Sequence, residues 1–251
     1  MEKINLNEKE IYNIIKSNNF TCESGGFGSV FKYKDGLGLK FSAGLFNLNG
    51  FDKEYFESHK NELYVNEKQI ELLVSKQNKV KLTSLPKGVA YYNGVPIAVI
   101  LEYFENHKSF YNLMYEHYTA IISVFYKFVD IINELVDNGI YQLDVKESNF
   151  LYSSLDYSAK AIDLDGPLVK CLSNERYSKS VYNCFYKMIC NMVKTKISYD
   201  ISNNLIDFNE AKRRICILDE YSKGIHNADA LEFLIDFINN FYILDYKKKV
   251  R

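Results

Sequence analysis

The side chains best suited to chemistry are concentrated between residues 140 and 166 of the 251-residue chain. Asp144 is followed five positions later by Asn149 and nineteen positions later by Asp163, and Lys146 lies in the same run. Carboxylate and amide oxygens are ligands that Mg²⁺ prefers, a carboxylate can orient an acceptor hydroxyl, and a lysine offsets phosphate charge. This spacing predicts phosphoryl transfer. The plainer alternative is that the Asp and Asn residues only occupy turns.

A glycine-rich segment lies nearer the amino terminus, where the sequence reads Gly25-Gly26-Phe27-Gly28-Ser29-Val30. Glycine lets a backbone approach phosphate oxygens closely and present N–H donors to them. Lys40 follows on the next predicted strand, from which it would reach the α- and β-phosphates if a carboxylate holds it. Taken singly, these features also fit a tight turn and a solvent-facing lysine. Their order along the chain predicts a site for ATP and Mg²⁺.

The elements that must position these residues change in character along the chain. Alternating, glycine-punctuated runs dominate the first part, with D-G and N-G dipeptides that indicate hairpin turns. Helical periodicity dominates after Glu105. The predicted elements are a helix at Glu8–Lys16, strands within 20–41, a helix at about Tyr55–Ser75, strands within 88–104, a helix at Tyr118–Asn138, a hairpin within 141–164, and helices near Lys179–Thr195, Phe208–Tyr221 and Ala228–Leu244. This order predicts an α+β fold.

Composition narrows the class of protein further. The formal net charge is −1, which gives no reason to expect a nucleic-acid or membrane partner. Five dispersed cysteines form no metal-ligand spacing, and the charged amino-terminal segment has no apolar stretch typical of a signal peptide. We therefore expect a cytoplasmic protein, or an effector delivered into another cell's cytosol without a cleavable signal.

These motifs resemble those of the eukaryotic-like protein kinase superfamily over nearly the whole chain. The glycine-rich segment resembles G-x-G-x-x-G-x-V, Leu37–Lys40 resembles V-A-I-K, Asp144–Asn149 resembles the catalytic loop H-R-D-L-K-P-E-N, and Asp163 stands in the place of D-F-G. The resemblance implies a two-lobed kinase-like α+β fold. An antiparallel sheet with the αC helix would form the amino-terminal lobe over residues 1–104, and a mostly helical lobe would follow over 105–251.

The resemblance also implies a role for each motif residue. Lys40 would grip the ATP phosphates, and a glutamate of the αC segment would orient it; we expect Glu67, with Glu62 and Glu71 left open. Leu101 would be the gatekeeper beside the hinge. The implied catalytic residues are Asp144, Lys146 and Lys40; the nucleotide-binding residues are Gly25, Gly26, Gly28, Val30, Lys40, Glu67, Glu102 and Phe104; and the Mg²⁺ ligands are Asn149, Asp163 and Asp165.

Departures from the family pattern bear on the activity. Glu23 stands where the first glycine of the loop belongs, Gln142 and Leu143 replace the His and Arg of the catalytic loop, and no A-P-E follows. Asp165 replaces the glycine of D-F-G, where it would bind a second Mg²⁺ or cap a turn. Lys146 favours a minimal Ser/Thr-type protein kinase with a protein substrate of unknown identity. A small-molecule kinase of the aminoglycoside or choline type and an ATP-binding pseudokinase are the alternatives.

Overall fold

The computed structural model describes residues 1–17, 30–42, 44–47, 50–140, 145–164 and 174–224, and these residues form an α+β protein. The chain divides into two compact units. The first contains Met1–Glu105 together with Asp163–Pro167, and the second contains Asn106–Ile162 and Leu168–Arg251. Asp163 therefore belongs to the strand-rich unit, although it follows the hairpin of the other unit in sequence.

A five-stranded sheet forms the centre of the first unit. Its strands are β1 (Glu2–Asn5), β2 (Val30–Lys32), β3 (Leu37–Phe41), β6 (Gly88–Tyr92) and β7 (Val95–Glu102), in the spatial order β1-β6-β7-β3-β2. The expectation of an antiparallel sheet is wrong at one edge, because β1 runs parallel to β6. The other described pairings are antiparallel.

Two tight turns set the register of this sheet, and the sequence predicted both. Asp35 and Gly36 connect β2 to β3 with φ of 56° and 70°, while Asn93 and Gly94 connect β6 to β7 with φ of 50° and 78°. Positive φ at both central residues suits the right-handed twist of paired strands and favours Asn-Gly or Asp-Gly. The first turn fixes the position of Lys40, which pairs with Val30 across β2 and β3.

The two faces of the sheet have different coverings. Helix α1 (Glu8–Ser17) places Ile11, Ile14 and Ile15 in one buried cluster with Leu39 and Phe41 of β3. Helix α2 (Lys53–His59) and a short hairpin of β4 (Phe46–Asn47) and β5 (Gly50–Phe51) contribute to the same cluster. Helix α3 (Glu67–Val74) packs Ile70 against Val89 and Val99 in a separate cluster. Because β3 residues alternate between faces, Lys40 lies on the α3 side.

The single helix predicted over about Tyr55–Ser75 is wrong, because the segment forms two helices. Asp52 begins α2 by accepting a hydrogen bond from the Tyr55 N–H at 2.7 Å. Asn66 begins α3 in the same way, with its Oδ1 3.2 Å from the Gln69 N–H. Asp and Asn satisfy the open donors of a helix start, so each cap begins a new helix. A 3₁₀ turn (Gln77–Lys79) follows α3.

The second unit combines helices with a small sheet. Helix α4 (Tyr118–Asp137) confirms the predicted long helix, and a 3₁₀ helix (Phe110–Tyr115) precedes it. Strands β8 (His107–Ser109), β9 (Phe150–Ser153) and β10 (Ala159–Ala161) form an antiparallel sheet in the order β10-β9-β8. Helix α5 (Asn174–Ser202) is longer than predicted, and α6 (Phe208–Gly224) follows it. The helix predicted at Ala228–Leu244 lies outside the described residues.

The core of this unit is aromatic. Phe110, Phe128, Phe150 and Phe185 are fully buried, and their rings meet at centroid distances of 4.8–5.6 Å. Such ring contacts add to the stabilisation that burial alone provides. Phe150 begins β9, so this core fixes the turn that immediately precedes it.

No helix in the described part of the chain is long and apolar enough to cross a bilayer.

Candidate functional site

Lys40 and Asp163 form an ion pair within the first unit, although they lie 123 positions apart in sequence. The Lys40 ammonium donates to Asp163 Oδ1, and only 8% of the lysine is exposed. A lysine this buried requires a partner for its charge. The interpretation of Lys40 as a solvent-facing strand residue is therefore wrong. Its burial beside a carboxylate is the arrangement that a phosphate-gripping lysine needs.

Asp163 has an unusual backbone conformation as well as a charged partner. Its φ is +64°, in the left-handed region. A residue with a Cβ typically loses about 1–2 kcal/mol there, although Asp tolerates the region better than most. Strained backbone of this kind persists where surrounding structure fixes it, and it clusters at functional sites. The side chain is 29% exposed, so its carboxylate is accessible as well as paired.

Glu67 is the first residue of α3, and its described partner differs from the one we expected. The Tyr91 hydroxyl donates to Glu67 Oε2 at 2.7 Å. Burial, together with the hydrogen bond to the Glu67 carboxylate, raises the pKa of Tyr91 to about 12. Among the described residues, no ion pair joins Lys40 to Glu67, Glu62 or Glu71. Asp163 thus holds the lysine in this structure, where the resemblance implied an αC glutamate.

The sheet surface beside Lys40 is mainly apolar. Val30, Gly38 and Leu101 lie on the same face as Lys40, because each is a direct cross-strand partner of a residue on that face. Val30 is 49% exposed, whereas Gly38 is buried and Leu101 half-buried. The expected hinge follows at the end of β7, where Glu102 is exposed and Phe104 half-buried.

The expected catalytic-loop residues in the second unit lie on a 3₁₀ turn (Glu147–Asn149) that precedes β9. Lys146 is exposed, whereas Asn149 is 4% exposed. Asn149 is anchored by its backbone: its N–H donates to Lys146 O at 3.0 Å, and its carbonyl accepts from the Ile162 N–H at 2.9 Å. The Ser109 hydroxyl donates to the Glu147 carbonyl at 3.1 Å, which ties the turn to β8. The turn thus carries an exposed lysine three positions before a buried asparagine whose backbone is held by two hydrogen bonds.

Five of the expected site residues lie outside the described residues: Gly25, Gly26, Gly28, Asp144 and Asp165. Within the described part of the chain, no cluster of three or more His, Cys, Asp or Glu side chains is arranged to hold a metal ion. Carboxylate and amide oxygens are hard donors that suit Mg²⁺; Asp163 of the first unit carries a carboxylate, and Asn149 of the second unit carries an amide.

The sequence analysis missed two features of this region. One is Tyr91, whose bond to Glu67 no local signal in the sequence indicates. The other is Tyr103, whose N–H donates to the Gly36 carbonyl at 2.8 Å and whose ring approaches Gly38. A glycine inside a predicted strand is the available signal for such a close approach.

Comparison with models of known protein families gives no match for this chain, and a search of characterised proteins gives none either. The assignment of a function therefore depends on the motifs and on the contacts described above.

Proposed function

We propose that this chain is an ATP-dependent phosphotransferase with a two-lobed, protein kinase-like fold. The observation that carries the proposal is the buried Lys40–Asp163 ion pair, in which Asp163 has a left-handed backbone. The sequence motifs had selected both residues as phosphate-handling groups, and a buried pair with local strain is typical of a functional site.

Each residue has a defined task in the proposed reaction. Lys40 binds the α- and β-phosphates of ATP, and Val30 with the expected hinge at Glu102 and Phe104 binds the base. Asp163 and Asn149 supply oxygen ligands for Mg²⁺, which when bound neutralises phosphate charge and helps to hold ATP for transfer. The motif assigns the remaining ligand position to Asp165.

The acceptor hydroxyl is handled by the catalytic loop. Asp144 orients this hydroxyl and accepts its proton, while Lys146 offsets negative charge that develops on the transferred phosphoryl group. Lys146 is exposed, which suits a group that must meet phosphate. A lysine at this position favours a protein Ser or Thr hydroxyl as acceptor, as the family resemblance implies.

The first experiment is incubation of the purified protein with Mg²⁺ and γ-labelled ATP, alone and with generic protein acceptors. Label on protein that is lost in Asp163→Asn and Asp144→Asn, but kept in Asp130→Asn, would support a protein kinase. Asp130 is the matched control because it is an exposed carboxylate whose partner Lys127 is 3.8 Å away.

Two other results would change the assignment. ATP consumption only when cationic small molecules are added would favour the small-molecule kinase. This alternative is kept because the sequence lacks the A-P-E motif, which belongs to the substrate-binding region of a typical protein kinase. Binding of Mg·ATP without transfer to any acceptor would favour a pseudokinase. No binding of Mg·ATP at all would contradict the proposal in every form.

A further inference from the structure

The ring of Tyr103 lies against the backbone of β3 at Gly38. A Cβ atom built on Gly38 would be 3.3 Å from Tyr103 Cδ2 and 3.2 Å from Val30 Cγ1, tighter than nine in ten real Cβ contacts. A side chain at position 38 would therefore require the ring or Val30 to shift by a few tenths of an ångström, and glycine lets the ring lie this close to the strand without that shift. In the V-A-I-K pattern that Leu37–Lys40 resembles, this position is alanine, so the chain departs from the pattern at the point of contact.

A backbone hydrogen bond holds Tyr103 in place, and the residue is only partly buried. Its N–H donates to the Gly36 carbonyl at 2.8 Å, which ties residue 103 to the turn between β2 and β3. The residue is half-buried, so its neighbours among the described residues do not cover it completely. Because the ring already lies against β3 at Gly38, it loses less conformational freedom when a second flat group packs on it than a fully exposed tyrosine would.

The ring lies near the residue to which the proposed function assigns the phosphates. Gly38 and Lys40 are two positions apart on the same face of β3, about 7 Å along the strand. Val30 is the direct partner of Lys40 on β2 and is 49% exposed. A ligand whose phosphates bind Lys40 thus has Val30 directly beside it and the ring of Tyr103 about 7 Å away along the strand.

We propose that the nucleotide base packs on the ring of Tyr103, and that Gly38 leaves the space in which this ring lies. This inference rests on the proposed function. Base–aromatic packing contributes affinity without reading hydrogen-bond edges, because every base has a π-face. Tyr103 therefore increases the affinity for nucleoside triphosphates over bare tripolyphosphate but discriminates weakly between purines.

The test is calorimetric binding of three Mg²⁺ complexes, those of ATP, GTP and inorganic tripolyphosphate, to the full chain. Tyr103→Ala should weaken ATP and GTP binding by similar factors of roughly 5- to 150-fold, the range expected for loss of one base–aromatic contact, and leave tripolyphosphate binding unchanged. Tyr103→Phe should bind all three as the wild type does. Gly38→Ala should weaken ATP binding but not tripolyphosphate binding, because the added methyl displaces the ring.

Two controls make the result decisive. Tyr111→Ala removes a 69% exposed tyrosine of the second unit and should leave all three affinities unchanged. If Tyr103→Ala does not fold, Tyr103→Leu keeps apolar volume without the ring and should still weaken both nucleotides. Unchanged nucleotide binding in the Tyr103 variants, or equal losses for tripolyphosphate, would overturn the inference.

The proposed function has its own readout in the same experiment. Lys40→Met should weaken all three ligands, because each carries phosphates. If Lys40→Met weakens all three while Tyr103→Ala changes none, the inference about Tyr103 is wrong and the phosphate site stands. If wild-type protein binds none of the three, the proposed function itself is wrong.

Discussion

Substitution of Asp163 tests both features of the residue, its charge and its backbone conformation. Removing the carboxylate leaves Lys40, whose side chain is 9% exposed, without its described partner. Breaking a fully buried pair in this way costs about 3–5 kcal/mol. Asp163 is 29% exposed, so water already screens part of this interaction. We therefore expect Asp163→Asn to lower the free energy of unfolding by about 2–3 kcal/mol.

The backbone at φ +64° separates the glycine and alanine variants. Alanine in the left-handed region costs about 1–2 kcal/mol relative to glycine. Glycine in turn gains about 0.4–1 kcal/mol of unfolded-state freedom, which offsets part of that difference. Asp163→Gly should therefore be the more stable of the two by about 1 kcal/mol. This order reverses the usual one, in which alanine is the more stabilising residue.

The assay is urea denaturation of each variant in the absence of ATP and Mg²⁺, so that ligand binding does not contribute. Asp130→Ala is the control, because its exposed ion pair should contribute less than about 1 kcal/mol. An alanine variant as stable as the glycine variant would refute the strain argument. Wild-type stability in all three Asp163 variants would refute the claim that the pair stabilises the fold.

Three further predictions follow from other contacts. Gly88→Ala places a Cβ in steric clash with the Glu2 carbonyl oxygen, so β1 should detach from β6, with a loss of at least about 2 kcal/mol in urea denaturation. Gly94→Ala, which meets no atom within 4 Å but has φ +78°, should lose only about 1 kcal/mol. Hydrogen bonds from Arg213 and Arg214 lower the pKa of Glu210 to about 2, below the ordinary value of 4.5. This interaction stabilises the fold above pH 4.5 and is lost as the pH falls toward 2, so Glu210→Gln should flatten the acid dependence of unfolding in that window; an unchanged slope would contradict it. Burial and the hydrogen bond to Glu67 raise the pKa of Tyr91 to about 12, so its neutral form stabilises the fold below pH 10 and this contribution is lost as the pH rises toward 12. Tyr91→Phe should therefore remove this part of the decrease in unfolding free energy between pH 10 and 12, and an unchanged decrease would contradict the prediction.

Much of the fold could be predicted because local signals dominate there. The apolar spacing of α4 is that of a helix packed on one face, and the Asp-Gly and Asn-Gly turns require positive φ. Strand β1 was missed because four mainly exposed residues carry no alternating pattern, and its partner Gly88 lies far along the chain. The break between α2 and α3 was missed although Asn66 is a good N-cap residue.

The candidate site could be predicted in its residue types but only partly in its pairing. Lys40 and Asp163 were both selected by motif, and the structure brings them together. The choice among Glu62, Glu67 and Glu71 could not be made from sequence, because it depends on where α3 begins and how it packs on the sheet. Those properties are set by tertiary contacts, and in the structure Glu67 accepts a hydrogen bond from Tyr91 of β6.

Nucleotide binding at Lys40 is the central claim, and calorimetric titration with Mg·ATP tests it most directly. The comparison is between wild type, Lys40→Met and Lys60→Met, since Lys60 is a lysine of the same unit with a 39% exposed side chain paired to Glu57. We expect saturable binding to wild type and Lys60→Met, and affinity at least about tenfold lower for Lys40→Met, because a charge-assisted contact to phosphate is lost. Equal affinity in all three proteins, or no binding to the wild type, would contradict the account.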